Sequence, residues 1–191
     1  MKTSASKTPS VSTASASADA TMADVTIRPE TDADVPAVLD VLMSVAAEGR
    51  WIGTQLPLDK PARLAQMRAA LERSESFAGF VAEVDGKVIG SIGLELASYG
   101  VVDLGICLLD GYRSQGVGLR LMQRGIEWAR GAGAHKITLQ VWPHNERGIG
   151  LYRKLGFVEE GLLRRHYRRN SGEIWDSVIM GLLLEDPPAT R

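Results

Sequence analysis

The chain has 191 residues, enough for one domain of ordinary size with its own core, and 45% of them are hydrophobic. A formal net charge of −1 gives no global attraction to nucleic acid or to an anionic membrane. The single cysteine, Cys107, excludes an internal disulfide and a cysteine-based zinc site, and no apolar run reaches the ~18 residues of a membrane span. A reducing, cytoplasmic setting fits this cysteine usage.

Residues 1–24 are rich in Ser, Ala and Thr and lack aromatics, so they are expected to form a disordered leader. Val25–Pro29 alternates like a short strand. Thr31-Asp32 opens a helix whose Val35, Val38, Leu39, Leu42, Val45 and Ala46 recur at helical spacing. A loop over Arg50–Pro61 leads to a second amphipathic helix over Ala62–Arg73. Phe77–Val84 and Lys87–Leu96 flank Asp85-Gly86, a dipeptide suited to the positive φ of a tight hairpin turn. Val101–Leu109 is a further strand. GYRSQGVGLRLM (Gly111–Met122) then runs into a helix striped by Val117, Leu121, Met122, Ile126 and Ala129, ended by Gly131 and Gly133. Lys136–Trp142 reads as a strand and Asn145–Leu155 as a helix stopped by Gly156. Phe157–Tyr167 and Ile174–Leu184 are the closing strands, followed by a tail at 186–191. The order describes a single α+β domain over 25–185 with a mixed sheet.

Two glycines one residue apart, Gly116 and Gly118, stand at a strand-to-helix junction, although glycine costs a helix about 1 kcal/mol relative to alanine. The phosphate loop GxxxxGK[ST] is absent, and Leu121 occupies the position of the third glycine in a dinucleotide fingerprint. What remains, Arg113-x-x-Gly116-x-Gly118, suits an anion held by amides at a helix start, with Arg113 as an added donor fork. It equally suits a turn that lets helix pack on sheet. In VWPHNERGIGLYRKLGF, Asn145, Ile149 and Tyr152 fall on one helix face, so Tyr152 reads either as a core aromatic or as a site residue, and Asn145 as a cap or a ligand.

Arg113-x-x-Gly116-x-Gly118 followed by Asn145…Leu151-Tyr152-x-Lys154-x-Gly156-Phe157 resembles the GNAT superfamily of N-acetyltransferases over roughly Val25–Leu184. The resemblance implies a mostly antiparallel sheet of about seven strands, splayed in the middle and flanked by about four helices. It implies acetyl-CoA as cosubstrate and no metal. Main-chain amides of Arg113, Ser114, Gln115, Gly116, Val117 and Gly118 would hold the pyrophosphate, and main chain around Cys107, Leu108 and Leu109 the pantetheine arm. An N–H near Cys107 or Leu108 would polarise the acetyl carbonyl. Tyr152 would be the general acid and Asp103, or else Glu95, the base. Cys107 reads as a buried core residue, with a covalent nucleophile as the alternative. Glu48 and Trp51, before the second helix, would wall the acceptor site together with Glu95, Glu48 pairing with a cationic amine. The acceptor is expected to be a small primary amine such as an amino acid. The alternatives are a protein N-terminus, or a non-catalytic acetyl-CoA sensor. Members of this superfamily also commonly form homodimers, and no nucleic-acid or membrane partner is implied.

Overall fold

The computed structural model describes residues 25–184; the leader and the tail fall outside the described residues. Seven strands form one sheet in the order β1-β2-β3-β4-β5-β7-β6. They are β1 (Thr26–Pro29), β2 (Phe77–Val84), β3 (Lys87–Leu96), β4 (Val101–Leu108), β5 (Lys136–Val141), β6 (Val158–Arg168) and β7 (Ile174–Leu183). All neighbours are antiparallel except β4 and β5, which run parallel. The β2–β3 connection is the tight turn expected of Asp85-Gly86, both at positive φ (49° and 74°).

Helices cover both faces. On one, α1 (Val35–Ala47) presses Val38, Val41 and Val45 on Val81, Val88 and Cys107, and α2 (Lys60–Leu71) contributes Met67 to the same cluster. On the other, α3 (Val117–Gly131) buries Val117, Leu121, Met122, Ile126 and Ala129 with Ile92, Leu94, Val102 and Ile137. This is the stripe its sequence shows. The same core takes Ile149 and Tyr152 of α4 (Glu146–Lys154), and Phe157.

The helix starts differ from those the sequence suggests, for local reasons. Thr31 and Asp34 close a capping box around a 3₁₀ turn at Asp32–Asp34, so the α-helix proper begins at Val35. Arg28 holds the Asp34 carboxylate (2.7 Å) and Glu83 (2.5 Å), tying β1 to this turn and to β2; the Arg28 bond keeps Asp34 well below the usual carboxylate range. Helix α2 begins at Lys60 because Asp59 accepts the Ala62 amide (3.0 Å) and Pro61 sits in the first turn, where its missing N–H forfeits nothing.

Candidate active site

Strands β4 and β5 pair at only three positions, Val101–Lys136, Val102–Ile137 and Asp103–Thr138. Beyond these, β4 follows β3 to Leu108 while β5 follows β7 to Val141, and the sheet parts between them. On the β3 side the Leu109 amide donates to Ile89 (2.9 Å) and Val101 accepts from Ala97 (2.9 Å). Antiparallel ladders alternate, so residues 101, 103, 105, 107 and 109 spend their main-chain groups on β3. Ile106 and Leu108 therefore turn theirs into the gap. Of the expected main-chain set, the amides of Cys107 and Leu109 are thus spent on β3, while that of Leu108 faces the gap beside that of Ile106. Which residues face the gap depends on the β3–β4 register, which the irregular turn at 97–100 does not declare in the sequence.

A cavity of about 470 Å³ occupies the parting and is lined by both strands and by the starts of α3 and α4. The α3 end is shaped by backbone. Ser114 and Gly116 lie in left-handed conformation (φ 61° and 80°), and the Gln115 side chain ties back to Gly111 O (2.8 Å). The earliest amide to find a partner within the helix is that of Arg120, on Gly116 O, so the amides of Ser114 to Leu119 have no partner among the described residues, whereas that of Arg113, expected among the pyrophosphate donors, is spent on Asp110 O (3.1 Å). Gly116 has the residue type this φ demands. At Gly118 a Cβ would sit 3.4 Å from Leu151 of α4, an ordinary contact, so packing against α4 does not itself demand glycine there. Arg147 and Lys154, which also line the cavity, add positive charge.

The side chain of Arg113 departs from its expected phosphate role. It bends back, donating from Nε to Leu108 O (2.8 Å) and from its two terminal nitrogens to Glu48 (2.7 and 2.5 Å). Glu48 is correspondingly withdrawn from the expected contact with an amine; Arg113 and the Trp51 indole N–H (2.6 Å) hold it and lower its pKa. The pair fastens the segment after α1 to the end of β4. Trp51 itself lines the cavity, as expected.

Tyr152 reaches the cavity from α4. Its ring is 7% exposed and lies 5.9 Å from Phe157; its hydroxyl has no hydrogen-bond partner among the described residues, and burial pushes its pKa up to about 12. Asn145 caps α4, its Oδ1 accepting from Gly148 N (3.0 Å), and also lines the cavity. Gly148 is small because a Cβ would meet Asn145 Nδ2 at 2.8 Å. Cys107 is buried against α1 with its thiol 3.6 Å from Ser91 Oγ, and burial pushes its pKa up, away from the thiolate. The two base candidates are not among the cavity-lining residues. Glu95 is bonded to Arg73 (2.6 Å), whereas Asp103, raised by burial and by the charge of Glu95, precedes the lining residues Leu104 and Gly105.

The other end of the cavity is aromatic. Trp142 packs edge-on against Tyr167 (4.8 Å) and Trp175 (5.4 Å), with His144 on Trp175 (5.0 Å). The 49–56 segment is pinned to this wall: His144 Nε2 bonds Arg50 O (2.8 Å), Asn170 N donates to Gln55 (2.6 Å) and Asn170 Nδ2 to Leu56 O (2.9 Å). Trp142, Gln140 and Ser177 were not read as site residues from the sequence; only Trp142-Pro143 marked an interruption there. Among the described residues no three His, Cys, Asp or Glu gather as metal ligands, and no helix is long and apolar enough to cross a membrane.

A family model described as the Acetyltransferase (GNAT) family matches residues 47–157. The N-alpha-acetyltransferase of Sulfurisphaera tokodaii is 35% identical over 102 residues, 46% of this chain and 60% of that protein. The L-amino acid N-acetyltransferase AaaT of Escherichia coli is 33% identical over 108 residues, 52% of this chain and 64% of that protein. The matched region thus spans somewhat under two thirds of these relatives. The fold is shared with YncA of Salmonella typhimurium, solved with its cofactor acetyl-CoA, at a TM-score of 0.77 and 23% identity over 87% of this chain and 98% of that one.

Proposed function

Since the chain belongs to the acetyltransferase (GNAT) family, we propose that it is an acetyl-CoA-dependent N-acetyltransferase whose acceptor is the primary amine of a small molecule such as an amino acid. The observation that carries this reading is the meeting of three features in one cavity: the parting of β4 from β5, the open amides at Gly116, and the unpartnered hydroxyl of Tyr152.

These residues fit acetyl-CoA. The turn at 114–118 offers consecutive amides and the positive end of a 15-residue helix to a pyrophosphate. The unpaired edge of β4 offers a ladder to an extended amide-bearing chain. Acetyl-CoA supplies an acyl group activated as a thioester. Around it, the Ile106 and Leu108 amides orient the carbonyl and stabilise charge developing on its oxygen. Tyr152 Oη donates its hydrogen toward the departing sulfur. Asp103 is the carboxylate proposed to draw the proton from the incoming ammonium through water, because Glu95 is held by Arg73. Trp51 and Trp142 wall the amine.

A second reading, acetylation of a protein N-terminus, is favoured by the Sulfurisphaera relative. The test is thiol release from acetyl-CoA with amino acids, polyamines, aminoglycosides and peptides, beside calorimetric titration with CoA. Turnover on peptides alone selects the second reading. Tight binding without turnover on any acceptor makes the protein a sensor. The lone cysteine supports a cytoplasmic location, and the exposed Val158 and Leu162 on edge strand β6 support a homodimer.

A further inference from the structure

We propose that the aromatic end of the cavity reads a carboxylate on the acceptor, with Gln140 as its hydrogen-bond donor and Arg169 as the charge behind it. This rests on the N-acetyltransferase reading and narrows the acceptor from amines in general to amino acids. Gln140 stands on β5 with its side chain open to the cavity. Its Oε1 accepts from two hydroxyls, Tyr167 Oη (3.0 Å) and the fully buried Ser177 Oγ (3.2 Å). The carbonyl end of the amide is thereby occupied, and its NH₂ has no partner among the described residues. Gln140 is exposed, so its NH₂ exchanges water for a ligand oxygen and supplies direction, while the discrimination rests chiefly on charge.

Arg169 supplies the second observation, independent of the first. It is 6% exposed, yet its guanidinium meets only main-chain carbonyls, those of Gly49, Ile52 and Gly53 at 3.3–3.4 Å. It stacks on Trp175 (4.5 Å) and lies 5.7 Å from Trp142, one of the cavity's walls. No carboxylate lies within ion-pair distance of it among the described residues. Buried charges are ordinarily paired. An uncompensated cation behind an apolar wall sets a positive potential in the pocket, which favours an anionic ligand over a neutral one. With Trp51 and Trp142 flanking, the acceptor that fits is an α-amino acid with an apolar side chain.

The experiment compares three acceptors with the intact protein by thiol release: L-methionine, its carboxamide, and 3-(methylthio)propylamine, which lacks the carboxylate. Expected is a fall in kcat/KM of about tenfold or more from the amino acid to the amine, carried mainly by KM, with the carboxamide between. Gln140→Leu and Arg169→Met should each narrow that ratio to a few-fold. Equal use of the three acceptors by the wild type overturns the proposal, whether or not either variant folds. So does an undiminished ratio in folded Gln140→Leu. A preference for methionyl peptides over methionine also overturns it while leaving the acetyltransferase reading intact. Absence of thiol release with every acceptor, peptides included, overturns both.

Discussion

Replacing Tyr152 by Phe separates two roles of one hydroxyl. The ring fills core space between α4 and Phe157, and Phe keeps it; the hydroxyl has no protein partner to lose. That hydroxyl opens on the cavity, where water can serve it, so its removal strips no bond from the folded state. Tyr152→Phe should therefore fold about as stably as wild type, within about 0.5 kcal/mol. Its pKa near 12 lies well above that of a thiol, about 8.5, so complete proton transfer to the sulfur is uphill. Tyr152 then acts by donating a hydrogen bond as charge develops, and its loss should lower kcat about a hundredfold, the low end for a positioned acid. The shift also has a stability signature. Because the folded pKa is raised above about 10, the stability it represents is complete below pH 10 and is lost as pH rises toward 12. Urea titrations at pH 8 and pH 11 should show this loss in wild type and not in Tyr152→Phe. Thiol-release assays give kcat. A variant that is less stable than wild type yet turns over at the wild-type rate would refute the reasoning and leave Tyr152 a core residue.

Glu30, partly buried and lacking a cationic partner among the described residues, has its pKa raised to about 7 by burial and by the charge of Asp34. Its stability contribution is complete below about pH 4.5 and lost as pH rises through 7, so Glu30→Gln should stabilise the protein at pH 8 by about 1–2 kcal/mol, discounted for its partial exposure, and not at pH 4.5; chemical denaturation at the two pH values checks this. Gly116→Ala, at φ 80°, should cost about 1–2 kcal/mol of stability and weaken CoA binding in calorimetry. Cys107→Ala should retain turnover, since burial holds the thiol protonated; complete loss of turnover in a folded, CoA-binding variant would restore the covalent route. Glu48→Gln should raise the acceptor KM several-fold more than it alters the Kd for CoA, because it frees the 49–56 segment from Arg113; the reverse pattern would show that Arg113 serves the phosphate end after all.

What the sequence makes legible is what short-range rules decide. The stripe of α3, the Asp85-Gly86 turn and the glycine pair at the start of α3 are local signals, and each led to the observed element. The pairing of Asn145 with Tyr152 on α4 was legible for the same reason. The opposite assignments of Arg113 and Glu48 were not. Each is chemically apt for an anion or a cation of the substrate, and only the distance between residues 48 and 113 in space shows that they satisfy one another. Gln140 and Ser177 were missed because they meet Tyr167 across three strands whose register no turn motif announces. Ile106 escaped because ladder alternation, not side-chain type, selects it.

Beside the His144 bond to Arg50, the anchors of the 49–56 segment reach more than a hundred positions along the chain, since Arg169 and Asn170 belong to the final hairpin. Under the proposed function, the wall that would face the amine is therefore closed by the last hairpin, while the turn that would face the diphosphate is built from residues that precede it, so substitutions in one need not disturb the other.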